Sequence, residues 1–145
     1  MADKQSSEIP DFKSLVSLTG RYFQIRDDLA NLTSEEYTNQ KGWCEDLDEG
    51  KYSLPLIHAL NHLPRPAKVQ LQALLVQRRT AGAMTPEMKA LVIKHMKDAG
   101  SLDYTKTIAL ELQDAVRREL TRLEEAFGQE NYVIQLALEK LKLKA

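Results

Sequence analysis

The sequence predicts an all-α chain folded as a helical bundle, and three observations carry that expectation. Apolar residues recur at spacings of three and four along most of the chain. Proline and glycine fall mainly between these amphipathic runs, and the alternating β-branched runs that mark strands are nearly absent. A length of 145 residues with 43% hydrophobic content is enough for one domain with a real core. The expected layout is a flexible N-terminal segment over residues 1–10 and one helical domain over residues 11–145.

Pro10 and Asp11 open the first helix, in which Leu15, Leu18, Tyr22, Ile25 and Leu29 form an apolar stripe along one side. A long polar stretch from Thr33 to Gly50 follows. A second helix runs through "SLPLIHALNHL" and is stopped by Pro64 and Pro66, after which "AKVQLQALLVQRR" repeats the amphipathic pattern. Thr85 followed by Pro86 is an N-cap with proline at the first helical position, and Gly100 closes that helix. Ser101 is expected to cap a long helix with Ile108, Leu112, Val116, Leu120, Leu123 and Phe127 inward and Glu111, Asp114, Arg118 and Arg122 outward. Gly128 interrupts it, and a last helix is expected over residues 132–143. The count is about six helices joined by short loops, with no internal repeat.

Several function classes are disfavoured by composition. The charges are many but balanced, with a formal net charge of -1, and the short basic tail "KLKLKA" is too little to imply a nucleic-acid partner. A single cysteine, Cys44, excludes an intrachain disulfide and is compatible with a reducing compartment. The N-terminus lacks the apolar core of a signal peptide and no apolar run approaches a membrane span, so a soluble, cytoplasmic protein is expected. His58 and His62 sit one helical turn apart, but no glutamate follows His58 and no third ligand is evident, so they are read as structural. The run "EDLDEG" fails as a calcium loop because Leu47 stands where a ligand oxygen is needed.

The stretch "FQIRDDLANL", from Phe23 to Leu32, carries the chemistry. A rotation of about 100° per residue places Gln24, Asp27, Asp28 and Asn31 within one narrow arc opposite the apolar stripe. That arc is either the wet side of an amphipathic helix or a metal site. Adjacent carboxylates repel unless a cation lies near them, and hard oxygen donors suit Mg²⁺, which keeps several waters and takes one or two carboxylates plus substrate phosphates. The same face carries the small residues Ser17 and Gly20, which leave room for a ligand. Downstream, Lys41 and Lys51 flank an acidic patch of Glu45, Asp46, Asp48 and Glu49, and lysine is a compact charge that neutralises phosphate oxygens.

"FQIRDDLAN" followed by "YTNQKGWCEDLDEGKYSLPLIHAL" resembles the second aspartate-rich region of geranylgeranyl diphosphate synthases, the eukaryotic and fungal members in particular. The likeness continues through "QRRT", the helix from Pro86 and "AGSLDYTK". It implies the C-terminal half of an isoprenoid-synthase bundle, Mg²⁺ as cofactor, and the joining of an allylic diphosphate, farnesyl diphosphate by preference, to isopentenyl diphosphate. By resemblance, Asp27 holds Mg²⁺ against the allylic diphosphate and Asp28 supports it through water or from behind. Gln24 turns its side-chain oxygen toward the developing carbocation, Asn31 stands in place of a third aspartate, and Lys41 and Lys51 contact the diphosphate. Asp46 orients Lys41 or a metal-bound water.

A full member of such a family is expected to be roughly twice this length. No first aspartate-rich motif precedes Gln24, and neither the basic cluster of an isopentenyl diphosphate site nor a Lys-Thr pair is present. The chain is therefore expected to carry half of a site. Two hypotheses follow: a prenyltransferase acting as a homo-oligomer or with a complementary synthase subunit, and a noncatalytic helical partner or truncated remnant that docks onto a prenyl synthase through uncovered apolar faces.

Overall fold

The computed structural model describes residues 12–33 and 43–128, together with Glu139. Six helices are formed among the described residues, in the order α1 (Lys13–Thr33), α2 (Glu45–Glu49), α3 (Leu54–His62), α4 (Arg65–Ala81), α5 (Pro86–Asp98) and α6 (Ser101–Phe127), and no strand is present among them. The all-α expectation holds. The N-terminal segment over residues 1–10 and the helix expected over residues 132–143 lie outside the described residues, Glu139 apart.

The chain divides into two compact units, Met1–Phe23 with Ala109–Ala145, and Gln24–Ile108. In the first, Leu15, Tyr22, Val116 and Leu123 form a buried cluster with Leu18, Phe23 and Leu112 packed against it, and the Tyr22 hydroxyl donates to Gln113 Oε1 at 3.2 Å. All the residues of this cluster but Phe23 are stripe residues that periodicity selects. In the second, α3, α4 and α5 pack on one another around Leu56, Ala59, Leu71, Leu74, Val92 and Met96. Each fully buried aliphatic side chain there contributes about 1.5–3 kcal/mol.

Local signals set the helix ends. Leu63, preceding Pro64, is extended at ψ 145, because the proline ring disfavours helical geometry in the residue before it. The two prolines that end α3 also begin α4, with Pro64 at its N-cap and Pro66 in its first turn. The Thr85 hydroxyl accepts from the Met88 N–H at 3.2 Å, the cap that α5 was expected to have. Ser101 departs from expectation. It is the first helical residue of α6 and fully buried, with its hydroxyl at 2.8 Å from His58 Nδ1, while the Gly100 carbonyl accepts from the Tyr104 N–H. A serine offered both a helix N-terminus and a neighbouring imidazole took the imidazole. Inside the polar stretch, α2 is a further departure: Cys44 and Leu47 are buried, with Trp43 packed beside them, and this anchors a single turn of helix.

Candidate functional site

All the candidate residues that the structure describes lie in the second unit: Gln24, Asp27, Asp28 and Asn31 on α1, Asp46 on α2, and Lys51 just beyond α2. Lys41 lies outside the described residues.

The two adjacent aspartates have opposite environments. The Asp27 side chain is 71% exposed and meets Arg26 Nη1 at 3.5 Å, whereas the Asp28 side chain is 6% exposed and meets Lys51 Nζ at 2.6 Å. The arc is therefore not one uniformly wet face. The repulsion between neighbouring carboxylates is relieved by the protein's own cations, one on each side, so that it does not by itself require a metal.

Asp28 Oδ1 accepts twice, from Lys51 Nζ and from Gln24 Nε2 at 3.1 Å. A carboxylate only accepts, so this contact settles which end of the Gln24 amide turns toward Asp28 and leaves the amide oxygen for another partner. The Asn31 side-chain oxygen accepts from the Asp46 N–H at 3.2 Å, and the Asp46 carboxylate stands 3.9 Å from Lys51 Nζ. Gln24, Asp28, Asn31, Asp46 and Lys51 thus form one connected group in which Lys51 is the central cation. Asp27 stands beside it, open to solvent.

The electrostatics follow from these contacts. The Asp28 hydrogen bond, working against partial burial and helped by the charges of Asp28, Asp46 and Asp27, holds the Lys51 ammonium above the usual lysine range. Burial pushes the Asp46 carboxyl up against the opposing charge of Lys51, and Asp28, Glu49 and Glu45 add to the rise. A lysine shared among carboxylates, with a half-exposed side chain, is a cation held at a fixed place and reachable by an incoming anion.

A further set of contacts, which no local sequence pattern reveals, surrounds Asp48. Asp48 Oδ2 meets Lys89 Nζ at 2.6 Å, its Oδ1 accepts from the Met84 N–H at 2.9 Å, and its carbonyl accepts from Arg78 Nε at 2.8 Å. Burial would raise the Asp48 carboxyl, but the hydrogen bonds from Lys89 and Met84 and the charges of Lys89 and Arg78 outweigh it and hold it below the usual range. These partners lie 30 to 41 positions downstream, beyond the reach of any local pattern. His58 and His62, which the sequence reads as structural, are engaged with their neighbours. His58 and His62 stack at 4.0 Å, Tyr104 stacks on His58 at 4.3 Å, and both Nδ1 atoms are taken, by Ser101 and by the His58 carbonyl.

Among the described residues no group of three carboxylate, histidine or cysteine side chains converges as a stand-alone metal site, and no helix is long and apolar enough to cross a membrane. A sequence profile described as Polyprenyl synthetase matches residues 1–95. The macrophomene synthase of Macrophomina phaseolina is 73% identical over 135 residues, covering 93% of this chain and 19% of the relative. The preasperterpenoid A synthase of Talaromyces verruculosus is 50% identical over 138 residues, covering 95% and 17% respectively. The geranylgeranyl pyrophosphate synthase 3 of Zymoseptoria tritici is 47% identical over 131 residues, covering 90% of this chain and 36% of that protein. The chain spans only about a fifth to a third of the length of these relatives.

Proposed function

Because this chain belongs to the polyprenyl synthetase family, we propose that it supplies the second aspartate-rich half of a prenyltransferase site, which binds the diphosphate of an allylic substrate and assists its departure. The observation that supports this most is Lys51, a partly exposed ammonium fixed at 2.6 Å by Asp28, the residue next in sequence to the open carboxylate of Asp27. In this reading the allylic carbon–oxygen bond breaks with its electron pair going to the diphosphate. The double bond of isopentenyl diphosphate attacks the carbocation, and loss of a proton leaves the longer allylic chain.

The residues fit Mg²⁺ in one specific way. Asp27 offers a single open carboxylate, which suits an ion that arrives already bound to substrate phosphates and keeps its waters. Bound there, Mg²⁺ would supply Lewis-acid stabilisation to the leaving diphosphate. Asp28 acts through Lys51 and Gln24. It holds the ammonium where charge develops on the diphosphate, and it orients the Gln24 amide so that the oxygen faces away from the carboxylate. Asn31 and Asp46 fix the two elements relative to each other, and Lys41 is a further diphosphate contact by resemblance alone.

The substrate reading is farnesyl diphosphate with isopentenyl diphosphate, and the product geranylgeranyl diphosphate, which the geranylgeranyl pyrophosphate synthase relative favours. The preasperterpenoid A synthase relative favours a place in terpenoid biosynthesis and leaves product length as the quantity to measure. Calorimetric titration of Mg²⁺ with and without farnesyl diphosphate tests the site. Binding is expected to be weak alone, strengthened by the diphosphate, and lost in Asp27→Ala. Tight diphosphate-independent binding, or no coupling at all, would exclude this reading.

A further inference from the structure

The proposed chemistry gives Asp48 of the acidic run no task, yet three of its oxygens are engaged by three different groups. Lys89 of α5 takes Oδ2, the Met84 N–H before α5 takes Oδ1, and Arg78 of α4 takes the main-chain carbonyl. Lys89 is itself 7% exposed. Its ammonium also donates to the Trp43 carbonyl at 2.5 Å and stands 6.0 Å from the Trp43 ring centre. Lys89 therefore ties down both ends of α2, Trp43 ahead of it and Asp48 within it.

The contact with Arg78 reaches one residue further. Gly50 closes α2 at φ +72, and a Cβ built on it would lie 2.5 Å from Arg78 Nη1. The guanidinium occupies the space that any other residue would fill with its own side chain. Lys51 comes next, and from there its ammonium reaches Asp28.

We propose that Asp48, Lys89 and Arg78 are positioning residues that set the rotation of α2 against α4 and α5, and through it the placement of Lys51 and Asp46 opposite Asp28 and Asn31. A helix of five residues does not hold itself together or choose its own rotation. Burial of Cys44 and Leu47 anchors one side but does not fix the angle. Slipping by one residue would turn Lys51 by about 100° and carry it away from Asp28. Directional hydrogen bonds from a buried ammonium remove that freedom. The Lys89 side chain is 9% exposed and that of Asp48 27%, and an ion pair with its ammonium taken out of water is a poor source of net stability but can select one arrangement over its neighbours.

The diphosphate arm of the test rests on the proposed function, and the structural arm does not. The variants are Lys89→Met, which keeps the apolar stem and removes the ammonium, Asp48→Asn, Lys89→Arg, and Lys51→Ala as reference. The first readout is amide hydrogen exchange. Lys89→Met and Asp48→Asn are expected to lose protection at Asp46, whose N–H is held by Asn31, while the amides of α4 and α5 keep theirs, and Lys89→Arg should restore part of the protection. The second is affinity for inorganic pyrophosphate in the presence of Mg²⁺, expected to fall about tenfold in Lys89→Met and to approach that of Lys51→Ala. Unchanged protection at Asp46 in Lys89→Met and Asp48→Asn would overturn the proposal. So would loss of protection spread evenly over α4 and α5 in every variant, which would mark a scaffold role. If the wild-type chain binds no pyrophosphate, the diphosphate reading fails while the exchange arm still decides whether these residues position α2.

Discussion

Asp27 and Asp28 are identical in type and adjacent in sequence, and the structure separates them into a solvent-facing carboxylate and a buried one. Their substitutions should therefore divide cleanly. Asp28→Ala removes the acceptor of two hydrogen bonds, one of them from an ammonium, and is expected to lower stability by about 1–2 kcal/mol after allowance for the half-exposed Lys51. Asp27→Ala should change stability by no more than about 0.5 kcal/mol. Urea unfolding measures both. The order should reverse when Mg²⁺-dependent diphosphate binding is measured, with Asp27→Ala losing the metal and Asp28→Ala weakening binding less. Equal losses in binding would remove the distinct role assigned to Asp28. At Cys44, burial pushes the thiol up to about 11, so the thiolate is scarce at neutral pH. Alkylation by iodoacetamide is expected to be slow in the folded protein and to become rapid once denaturant exposes the residue. Fast labelling of the native chain would show that Cys44 is not sealed.

At the scale of elements, the short α2 and its closing glycine are the sensitive point. Gly50→Ala places a Cβ against the Arg78 guanidinium and puts a residue with a side chain at positive φ, and it should cost about 1–3 kcal/mol. The loss is measurable as a lower thermal midpoint. The same change at Gly82, where φ is also positive but a Cβ meets nothing within 4 Å, should cost only the backbone part. The junction of α3 and α6 carries a pH dependence. Burial, with the charge of His62, holds His58 below its ordinary value of 6.5, so the unfolded chain takes up a proton on this residue before the folded one does. Stability is then fully present above that value and declines as pH falls below it, until the folded-state value is passed. Denaturation curves taken across this window should show the decline, and a flat profile would mean that the Tyr104, His58 and His62 stack tolerates the charge.

At the scale of the whole molecule, the chain carries one aspartate-rich segment and spans a fifth to a third of its relatives. Ionising an allylic diphosphate calls for cations on both sides of it, and the candidate residues from Gln24 to Lys51 supply one side. Incubated with farnesyl diphosphate, isopentenyl diphosphate and Mg²⁺, the chain alone is expected to form no geranylgeranyl diphosphate above background. Addition of the preceding half of a related synthase is expected to restore turnover, which Asp27→Ala then abolishes. Robust product from the lone chain, detected by radiolabelled isopentenyl diphosphate, would overturn the half-site view.

Helix class and the apolar stripe of Leu15, Tyr22 and Leu29 were legible in the sequence, as were the proline-set joint between α3 and α4 and the Thr85 cap, because each depends on residues within a few positions of one another. The types of group at the candidate site were legible for the same reason. Which aspartate would be buried, which cation would pair with it, and why Asp48 stands in the acidic run were decided only in three dimensions. Lys51 meets Asp28 across 23 positions and Lys89 meets Asp48 across 41. Such pairings rest on how helices pack, and the free energy that selects them belongs to the assembled core and not to any segment of the chain read alone.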